Sequence, residues 1–336
     1  MPEIAVLIAV YNAASTLPEC LDSLSRQTLK AFQVICVDDC STDDTLDLLH
    51  QRAAADARFI VLQTPLNSGQ AVARNLALEQ VTAPYVCMLD ADDWLSPDAL
   101  QSAVDVFHAH SLADCVVFRL HRVFPDGREE VWPLPHPCEN GFPISGKEAF
   151  DYCMNGWQLH GLYAVRTSLH RQIPFDTATR LYSDDNTSRL HYLHSREVRA
   201  CDGIYYYRQH EESMTSSFNI HRFDFMEANL SLLFALQKED IPRDTLQRFE
   251  GHRWLTFITC YRLYLNHLDE LSPDDCASLH QRFTTVLHTF RPSRLPLRYR
   301  WKPGYWLTLS LRRFDRQQRL YLWASRLKHR GSVKTA

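Results

Sequence analysis

The sequence predicts an α/β protein with a mainly parallel sheet flanked by helices, followed by a C-terminal helical extension. The first 120 residues alternate short β-rich runs with helical patterns, which is typical of βαβ units. Acidic residues follow several predicted strands directly, at the edge where open α/β sheets bind ligands. Beyond about residue 220 glycine nearly disappears and apolar residues recur at helical spacing. We therefore predict one domain at 1–220 and a second at 221–336.

Composition and length exclude several classes of protein. The chain has 336 residues, of which 45% are hydrophobic and 10 are glycine, so it is neither disordered nor collagen-like. Its longest apolar runs fall short of the roughly 18 residues of a membrane span, and Met1-Pro2-Glu3 is not a basic signal-peptide start. We therefore expect a cytoplasmic protein. Its ten scattered cysteines form no CxxC pair and are typical of reduced core thiols.

The predicted elements begin with a buried strand at Ile4–Val10. Ser15 is the expected cap of the first helix, and Phe32–Val37 is the next buried strand. Ser41 and Asp44 have the spacing of a capping box for the second helix. The elements predicted after these are strand Phe59–Leu62, helix Gln70–Val81, strand Tyr85–Leu89 and a helix from Pro97.

The second half of the first domain is predicted with less regular alternation. It comprises a hairpin turn at Pro125–Gly127, a helix capped by Ser145 and Glu148, a helix at Leu181–Leu193 and a β-prone run at Val198–Tyr207. The C-terminal extension contains predicted helices at Arg222–Gln237, Leu246–Asn266 and Ala277–His288.

The most informative acidic group is Asp90-Ala91-Asp92-Asp93, directly after an apolar strand. Three carboxylates in four residues repel one another unless a cation relieves them. Mg²⁺ or Mn²⁺, with oxygen ligands, is the natural occupant, and it would leave positions open for diphosphate oxygens. The alternative is a solvated acidic helix N-terminus.

Two further acidic pairs and one arginine are candidates for chemistry. Asp38-Asp39 ends the second strand and either accepts hydrogen bonds from a nucleoside or caps the next helix. Asp184-Asp185 opens a predicted helix and either caps it or takes a proton from a hydroxyl. Arg74 follows the turn at Asn67-Ser68-Gly69 and is either a surface residue or a residue that pairs with phosphate or orients a ligand carboxylate. The chain has neither GxGxxG nor GxxxxGK[ST], which disfavours dinucleotide dehydrogenases and P-loop kinases.

Taken in order, these motifs resemble glycosyltransferase family 2 across residues 3–217. The matching segments are Ile4–Asn12, Val37–Asp43, Asn67–Asn75, Leu89–Asp93 with Pro97, Asp184-Asp185, and Tyr207–His210 with Ser213–Thr215. The resemblance implies a Rossmann-like GT-A fold and an inverting transfer of sugar from a nucleotide diphosphate.

The resemblance also implies roles for individual residues. The nucleotide-sugar site would comprise Ala9, Tyr11, Asp38, Asp39, Asn67, Arg74, Asp90 and Ala91. The metal would be held by Asp92, Asp90 and His210. Asp185, beside Asp184, would be the general base, and Trp157 and His160 are candidates for the acceptor pocket.

The chain departs from the family pattern at a few positions. Ala9 stands where proline is common, Cys40 and Ala77 stand where glycine is common, and Asp184 replaces the usual glutamate. None of these changes removes a metal-binding or proton-transfer group, so we expect an active enzyme.

The C-terminal segment 291–336 is strongly basic. It holds 13 Lys/Arg and the single acidic residue Asp315, whereas the whole chain has net charge −4. Tryptophan, tyrosine and leucine interleave with these cations, a composition that suits an anionic membrane surface. A nucleic-acid-binding surface has a similar composition, although no nucleic-acid partner is expected, and a solvated basic helix with its aromatic residues in the core is the other alternative. Peripheral attachment to the inner face of the plasma membrane follows as the expected location.

These observations favour a metal-dependent inverting glycosyltransferase with Mn²⁺ or Mg²⁺ as cofactor. Its expected donor is a UDP-sugar, and its expected acceptor is a hydroxyl of a glycan or lipid-linked molecule in lipopolysaccharide, capsule or exopolysaccharide synthesis. The alternative is a catalytically silent protein that binds sugar nucleotides or nucleic acid.

Overall fold

A computed structural model describes residues 1–134, 142–154, 158–209, 218–239, 241–297, 299 and 304–332. The chain divides into two compact units, Met1–Ser217 and Phe218–Ala336. The sequence places its domain boundary near residue 220.

The first unit begins with four parallel strands in the order β3-β2-β1-β4. These strands are β1 (Ile4–Val10), β2 (Phe32–Asp38), β3 (Phe59–Gln63) and β4 (Tyr85–Met88). The helices of this half are α1 (Leu17–Ser25), α2 (Thr45–Ala55), α3 (Gln70–Glu79) and α4 (Ala99–Ala109). This alternation confirms the predicted βαβ organisation.

The sheet continues from β4 with strands of mixed direction. The further strands are β5 (Trp94–Leu95), β6 (Ala113–Val123), β7 (Glu129–Trp132), β8 (Ile144–Ser145), β9 (Tyr163–Arg166) and β10 (Glu197–Arg208). The helices are α5 (Gly146–Met154), α6 (Thr167–Gln172) and α7 (Ser183–Leu193). Among the described residues ten strands form one sheet, with β9 antiparallel between β4 and β6 and with β10 parallel to β6.

Strand β1 shows why the sheet's central runs are apolar without interruption. Ile4, Val6 and Ile8 pack into one core beneath α1 and α4, whereas Ala5 and Leu7 face a second core that includes residues of α3, α5 and α7. Successive side chains of a strand point to opposite faces, so a strand covered by helices on both faces needs apolar residues at every position. The predicted mainly parallel α/β sheet is therefore confirmed.

Two predicted helix caps are wrong. Thr16, rather than Ser15, precedes α1, and it makes no side-chain cap. Asp44 precedes α2 without a side-chain cap, because Ser41 Oγ accepts a hydrogen bond from the backbone N–H of Asn12 instead. By contrast, Ser145 and Glu148 exchange the predicted hydrogen bonds at the start of α5.

The second unit is helical in its described part. Its α-helices are α8 (Asp224–Leu236), α9 (Arg243–Asn266), α10 (Pro273–Leu287) and α11 (Leu311–Ser332). The aromatic rings of Trp254, Phe257, Phe283 and Phe314 fill its core, and Ser272 and Asp275 form a capping box at α10. None of the helices among the described residues is both long and apolar enough to cross a bilayer.

The cysteines behave as the sequence predicts. Seven of the nine in the described residues are buried, Cys40 and Cys276 are half-buried, and all nine are free thiols. Cys138 lies outside the described residues.

Candidate active site

The loops after β1 and β2 are joined at the carboxyl edge of the sheet. Asn12 Oδ1 accepts a hydrogen bond from Thr42 N at 2.8 Å, and Asn12 N donates to Ser41 Oγ at 2.9 Å. Asn12 and Cys40 both have left-handed backbone conformations, with φ of 47° and 65°. Tyr11 is 49% exposed beside this junction, where a ligand can reach its ring.

Asp39 ties the loop after β2 to the turn at Asn67-Ser68-Gly69. Its Oδ1 accepts hydrogen bonds from Thr64 Oγ1 at 2.7 Å and from Ser68 N at 2.9 Å, while its Oδ2 accepts from Gly69 N at 2.7 Å. The carboxylate is 3% exposed. Asp39 therefore shapes this edge of the sheet in addition to any contact with a nucleoside.

Asp38 has one oxygen in use and one without a partner. Its Oδ2 accepts hydrogen bonds from Ser41 N and Gln63 Nε2, each at 3.1 Å. Its Oδ1 is buried and has no hydrogen-bond partner among the described residues. Because a buried unpaired acceptor is costly, this oxygen is available to a donor from a ligand or water.

Arg74 connects two of the acidic groups. Gly69, with φ of 93°, turns the chain into α3 so that Arg74 lies buried at 2% exposure. Its Nη2 donates to Asp90 Oδ1, and its Nη1 lies 4.0 Å from Asp184 Oδ2. The guanidinium therefore brings the first acidic cluster and the later acidic pair to one place, as a surface arginine could not.

The strand β10 holds the acidic loop after β4 in place. Asp93 is fully buried and accepts hydrogen bonds from Tyr205 Oη at 2.9 Å and from Arg208 N at 2.8 Å. Arg208 Nε also donates to the carbonyl of Asp92 at 2.8 Å. Burial, followed by the charges of Asp90 and Asp92, raises the pKa of Asp93 well above its usual value.

The remaining carboxylates of this loop fit a divalent cation. Oxygens of Asp90, Asp92 and Asp93 lie within 4.8 Å of one another, and Asp93 is engaged by β10. Burial raises the pKa of Asp90, Arg74 lowers it, and Asp92 and Asp184 raise it further. This repulsion is what a hard cation relieves, so Asp90 and Asp92 would hold the ion with oxygen ligands.

The acidic pair lies at the N-terminus of α7 and differs in exposure. Tyr182, with φ of 67°, turns the chain into the helix. The side chain of Asp184 is 44% exposed, whereas that of Asp185 is 8% exposed. Burial raises the pKa of Asp185 to about 7, with Arg189 opposing and Asp184 adding to the shift. A carboxyl with a pKa near neutrality is well matched to proton transfer.

Some predicted site residues lie elsewhere or cannot be placed. His210 and Trp157 fall outside the described residues. His160 is completely buried, and its Nδ1 accepts a hydrogen bond from Leu162 N at 3.3 Å. Its place in an acceptor pocket stays a prediction, and the side chain would have to become exposed for an acceptor to reach it. Ala9 is half-buried at the end of β1, and Ala91 is buried within the acidic loop.

Gln70 and Arg180 belong to the site although no motif in the sequence marks them as site residues. Gln70 Nε2 donates to Asp90 Oδ1 at 3.2 Å, and Arg180 donates to the carbonyl of Asn67 at 3.2 Å. Tyr207 is 36% exposed, and burial together with the carboxylates of the site raises its pKa to about 12. Tyr207 and Arg208 lie in the segment Tyr207–His210 that resembles the family, but periodicity alone does not reveal that Tyr205 and Arg208 hydrogen-bond to Asp93.

The fold and the sequence both match known glycosyltransferases. S. aureus TarS (residues 1–349) in complex with UDP-GlcNAc superposes with a TM-score of 0.71 at 20% identity, covering 96% of this chain and 92% of that one. The mannosyltransferase PcManGT from Pyrobaculum calidifontis, in complex with GDP-Man and Mn²⁺, gives a TM-score of 0.56 at 17% identity, covering 97% and 86%. These likenesses confirm the GT-A fold.

The sequence matches are shorter. TuaG of Bacillus subtilis (strain 168), a glycosyltransferase named for teichuronic acid biosynthesis, is 38% identical over 112 residues, which are 33% of this chain and 44% of TuaG. The chain covers between 16% and 63% of the length of three such curated relatives. The profile of "Glycosyl transferase family 2" matches residues 5–173, which is half of the chain and includes the first four motifs. The chain therefore belongs to glycosyl transferase family 2.

Proposed function

We propose that the protein is a metal-dependent inverting glycosyltransferase that transfers a sugar from a UDP-sugar to a hydroxyl of a glycan or lipid-linked acceptor. The observation that carries the proposal is the position of Arg74, between Asp90 of the acidic loop and Asp184 of the acidic pair. A donor held at the acidic loop would thus lie beside a carboxyl suited to accept a proton. Synthesis of a bacterial surface polysaccharide, such as lipopolysaccharide, capsule or exopolysaccharide, is the process we assign to it.

The donor side would be built from the edge of the parallel strands. Tyr11, Asp38 and Asp39 would contact the nucleoside, with Asn67 and Arg74 on the neighbouring turn and helix. Asp90 and Asp92 would hold Mn²⁺ or Mg²⁺. When bound, such an ion neutralises charge that develops on a diphosphate leaving group.

The acceptor side would be built on α7. Asp185, as carboxylate, would take the proton of the acceptor hydroxyl while that oxygen forms a bond to the anomeric carbon. The bond from this carbon to the diphosphate breaks in the same step, so the nucleotide leaves as UDP and the configuration inverts. Since a positioned base contributes roughly 10²–10⁴-fold, Asp185→Asn should lower the rate by about that factor.

Donor binding is the first experiment. Sugar nucleotides are screened by thermal shift with and without Mn²⁺, because a ligand that binds the native state raises its stability. UDP-GlcNAc, which TarS binds, is the first probe. We expect a metal-dependent rise in melting temperature with a UDP-sugar and not with the sugar alone. Absence of such a rise across UDP-, GDP-, dTDP- and CMP-sugars would contradict the proposal.

Transfer is the second experiment. UDP release is measured with the bound donor and Mn²⁺, with water as the acceptor of the sugar, for the wild type, Asp185→Asn, Asp92→Asn and the exposed control Asp47→Asn. The first two variants should lose activity and the control should not. Asp185→Asn at the wild-type rate would exclude Asp185 as the base, and retained activity in Asp92→Asn would remove it from the metal site.

We also propose that the C-terminal segment attaches the enzyme to an anionic membrane surface. Trp306, Leu309, Leu320 and Trp323 are 44–64% exposed, and the last two share the outer side of α11 with four exposed arginines. These arginines are Arg312, Arg313, Arg316 and Arg319. Asp315 pairs with Arg319 at 2.9 Å, which leaves the charge of three arginines for lipid headgroups.

Vesicle sedimentation tests this attachment. Phosphatidylglycerol vesicles should bind the full chain and phosphatidylcholine vesicles should not. Replacing Arg312, Arg313 and Arg316 by glutamine should weaken binding on the order of 100-fold, at about 1 kcal/mol per charge. Equal binding to both vesicles, or binding of RNA in preference to the anionic vesicles, would contradict the proposal.

A further inference from the structure

The helix α7 buries an arginine one turn after Asp185. The side chain of Arg189 is 1% exposed, and its Nη2 lies 4.0 Å from Asp185 Oδ2. Its Nε and Nη1 have no hydrogen-bond partner among the described residues. Because a guanidinium cannot lose its proton in a protein, a full positive charge lies in the interior directly behind Asp185.

Among the described residues, the other titratable groups that act on Asp185 are not cations. Asp184, on the same helix, is a like charge, and it lies 4.0 Å from Arg74 Nη1. Cys153, on the adjacent helix α5, faces Asp185 and Arg189 as a neutral thiol, because burial raises its pKa to about 11. Of the groups that perturb Asp185, Arg189 is the one that favours its charged form.

We propose that Arg189 is a positioning residue for proton transfer, whose fixed charge keeps the buried Asp185 in the carboxylate form that accepts the acceptor's proton. The inference rests on the proposed role of Asp185 as the base. It also accounts for the burial of Arg189. Burying a cation costs desolvation free energy unless a counter-charge lies at close range. The 4.0 Å between Arg189 Nη2 and Asp185 Oδ2 is short enough for this effect, because the interaction between charges in a protein interior extends beyond hydrogen-bond range.

The type of cation matters to this role. A lysine at position 189 would respond to burial by giving up its proton, whereas arginine stays charged. Without any cation, burial and Asp184 would both act unopposed on Asp185 and hold it in the protonated form. The capacity to accept a proton at neutral pH should therefore fall in the order arginine, lysine, methionine at this position.

The test is a titration of Asp185 in the full chain. Aspartate labelled with ¹³C at the carboxyl is followed by NMR from pH 4 to 10 in the wild type, Arg189→Lys and Arg189→Met, with Asp185→Asn assigning the signal. The pKa of Asp185 should rise by one unit or more in Arg189→Met and by less in Arg189→Lys. One unit corresponds to a tenfold smaller ratio of carboxylate to acid.

The pH dependence of activity is a second readout. It would not shift if Arg189 served only to stabilise the fold. The pH profile of UDP release from UDP-GlcNAc with Mn²⁺ should shift to higher pH in Arg189→Met by the same amount, with the rate recovering on the alkaline side. Arg253→Met is the matched control, because Arg253 is 1% exposed in the other unit and pairs with Glu250 at 2.6 Å. Loss of this equally buried cation should lower stability and leave the titration of Asp185 in place.

An unchanged Asp185 titration in folded Arg189→Met overturns the inference. Arg189→Gln, also uncharged but able to donate hydrogen bonds, serves as a second variant if the methionine does not fold, and the same outcome there has the same meaning. Failure of the proposed function is distinguishable from failure of this inference. If Asp185→Asn releases UDP at the wild-type rate, Asp185 is not the base, yet the NMR titration still reports whether Arg189 controls its charge.

Discussion

Low pH should lower the stability of the first unit, Met1–Ser217, because two of its histidines are buried in the neutral state. His160 Nδ1 accepts a hydrogen bond from Leu162 N, and its Nε2 has no partner among the described residues. His170 lies against Phe175 and His191, beside the helix that carries the acidic pair. Burial is the largest cause that lowers the pKa of His160 and of His170, each to about 4.

The sign and size of the effect follow from these values. In the unfolded chain a histidine has a pKa near 6.5, so as pH falls the unfolded state binds protons before the folded state does. The stability is therefore complete above pH 6.5 and is lost as pH falls toward 4. At pH 5 each histidine should lower the free energy of unfolding by about 2 kcal/mol relative to pH 8, and the two together by about 4 kcal/mol.

The measurement compares the pH dependence of the free energy of unfolding between variants. The wild type alone is not enough, because Asp185 changes stability with pH in the opposite direction. Its raised pKa means that the folded state binds this proton first, so its contribution to stability grows as pH falls through 7. Urea unfolding is followed at pH 8 and pH 5 by hydrogen exchange in β1 and β4, which reports the first unit alone. His160→Leu should lose about 2 kcal/mol less between these pH values than the wild type does. The exposed His50→Leu is the control, and parallel profiles for wild type and His160→Leu would refute the reasoning.

Three further predictions concern the backbone, the site's scaffold and the metal. Cys40→Gly should raise the free energy of unfolding by about 0.5–1 kcal/mol, because φ of 65° strains a side-chain-bearing residue; a lower melting temperature would argue against this strain. Asn75→Ala should lower the free energy of unfolding by about 2 kcal/mol, since the amide of Asn75 exchanges two hydrogen bonds of 2.9 Å with the backbone of Phe175. A loss under about 0.5 kcal/mol in a urea titration would contradict this. EDTA should abolish UDP release and Mn²⁺ restore it, with Asp92→Asn needing more Mn²⁺ for half-maximal rate; activity that survives chelation would exclude the metal.

The element order could be predicted from sequence because each signal is local. Uninterrupted apolar runs mark strands covered on both faces, and β1, β2 and β4 were located within one residue at each end. The Pro125–Gly127 turn likewise joins β6 to β7 as predicted. By contrast, the two-residue strands β5 and β8 have no periodicity, since they exist only where β10 supplies a partner.

The helix caps show the limit of local patterns. Ser41 and Asp44 have the correct spacing for a capping box, but Ser41 Oγ is already engaged by Asn12, which comes from the loop after another strand. Capping competes with every other donor that the fold brings near, and those donors are distant in sequence. Ser145 forms its predicted box because no such competitor reaches it among the described residues.

The candidate site shows the same limit. Its carboxylates could be predicted from the sequence, whereas the burial of its arginines could not. Carboxylates were predictable because three in four residues are costly anywhere except at a site that uses them. Arg74 was a candidate through its motif, but its burial was not predictable, and Arg189 gave no signal, since an arginine within a helix is usually at the surface. The two arginines contact their acidic partners differently. Arg74 donates a hydrogen bond to Asp90, whereas Arg189 Nη2 lies 4.0 Å from Asp185 Oδ2. Direct contact ties Arg74 to the geometry of the acidic loop, while in the proposed mechanism the longer distance would leave the oxygens of Asp185 for a substrate proton. In the proposed mechanism, Arg189 would be close enough to favour the carboxylate form of Asp185 yet too far to occupy its oxygens, as proton transfer from an acceptor hydroxyl requires.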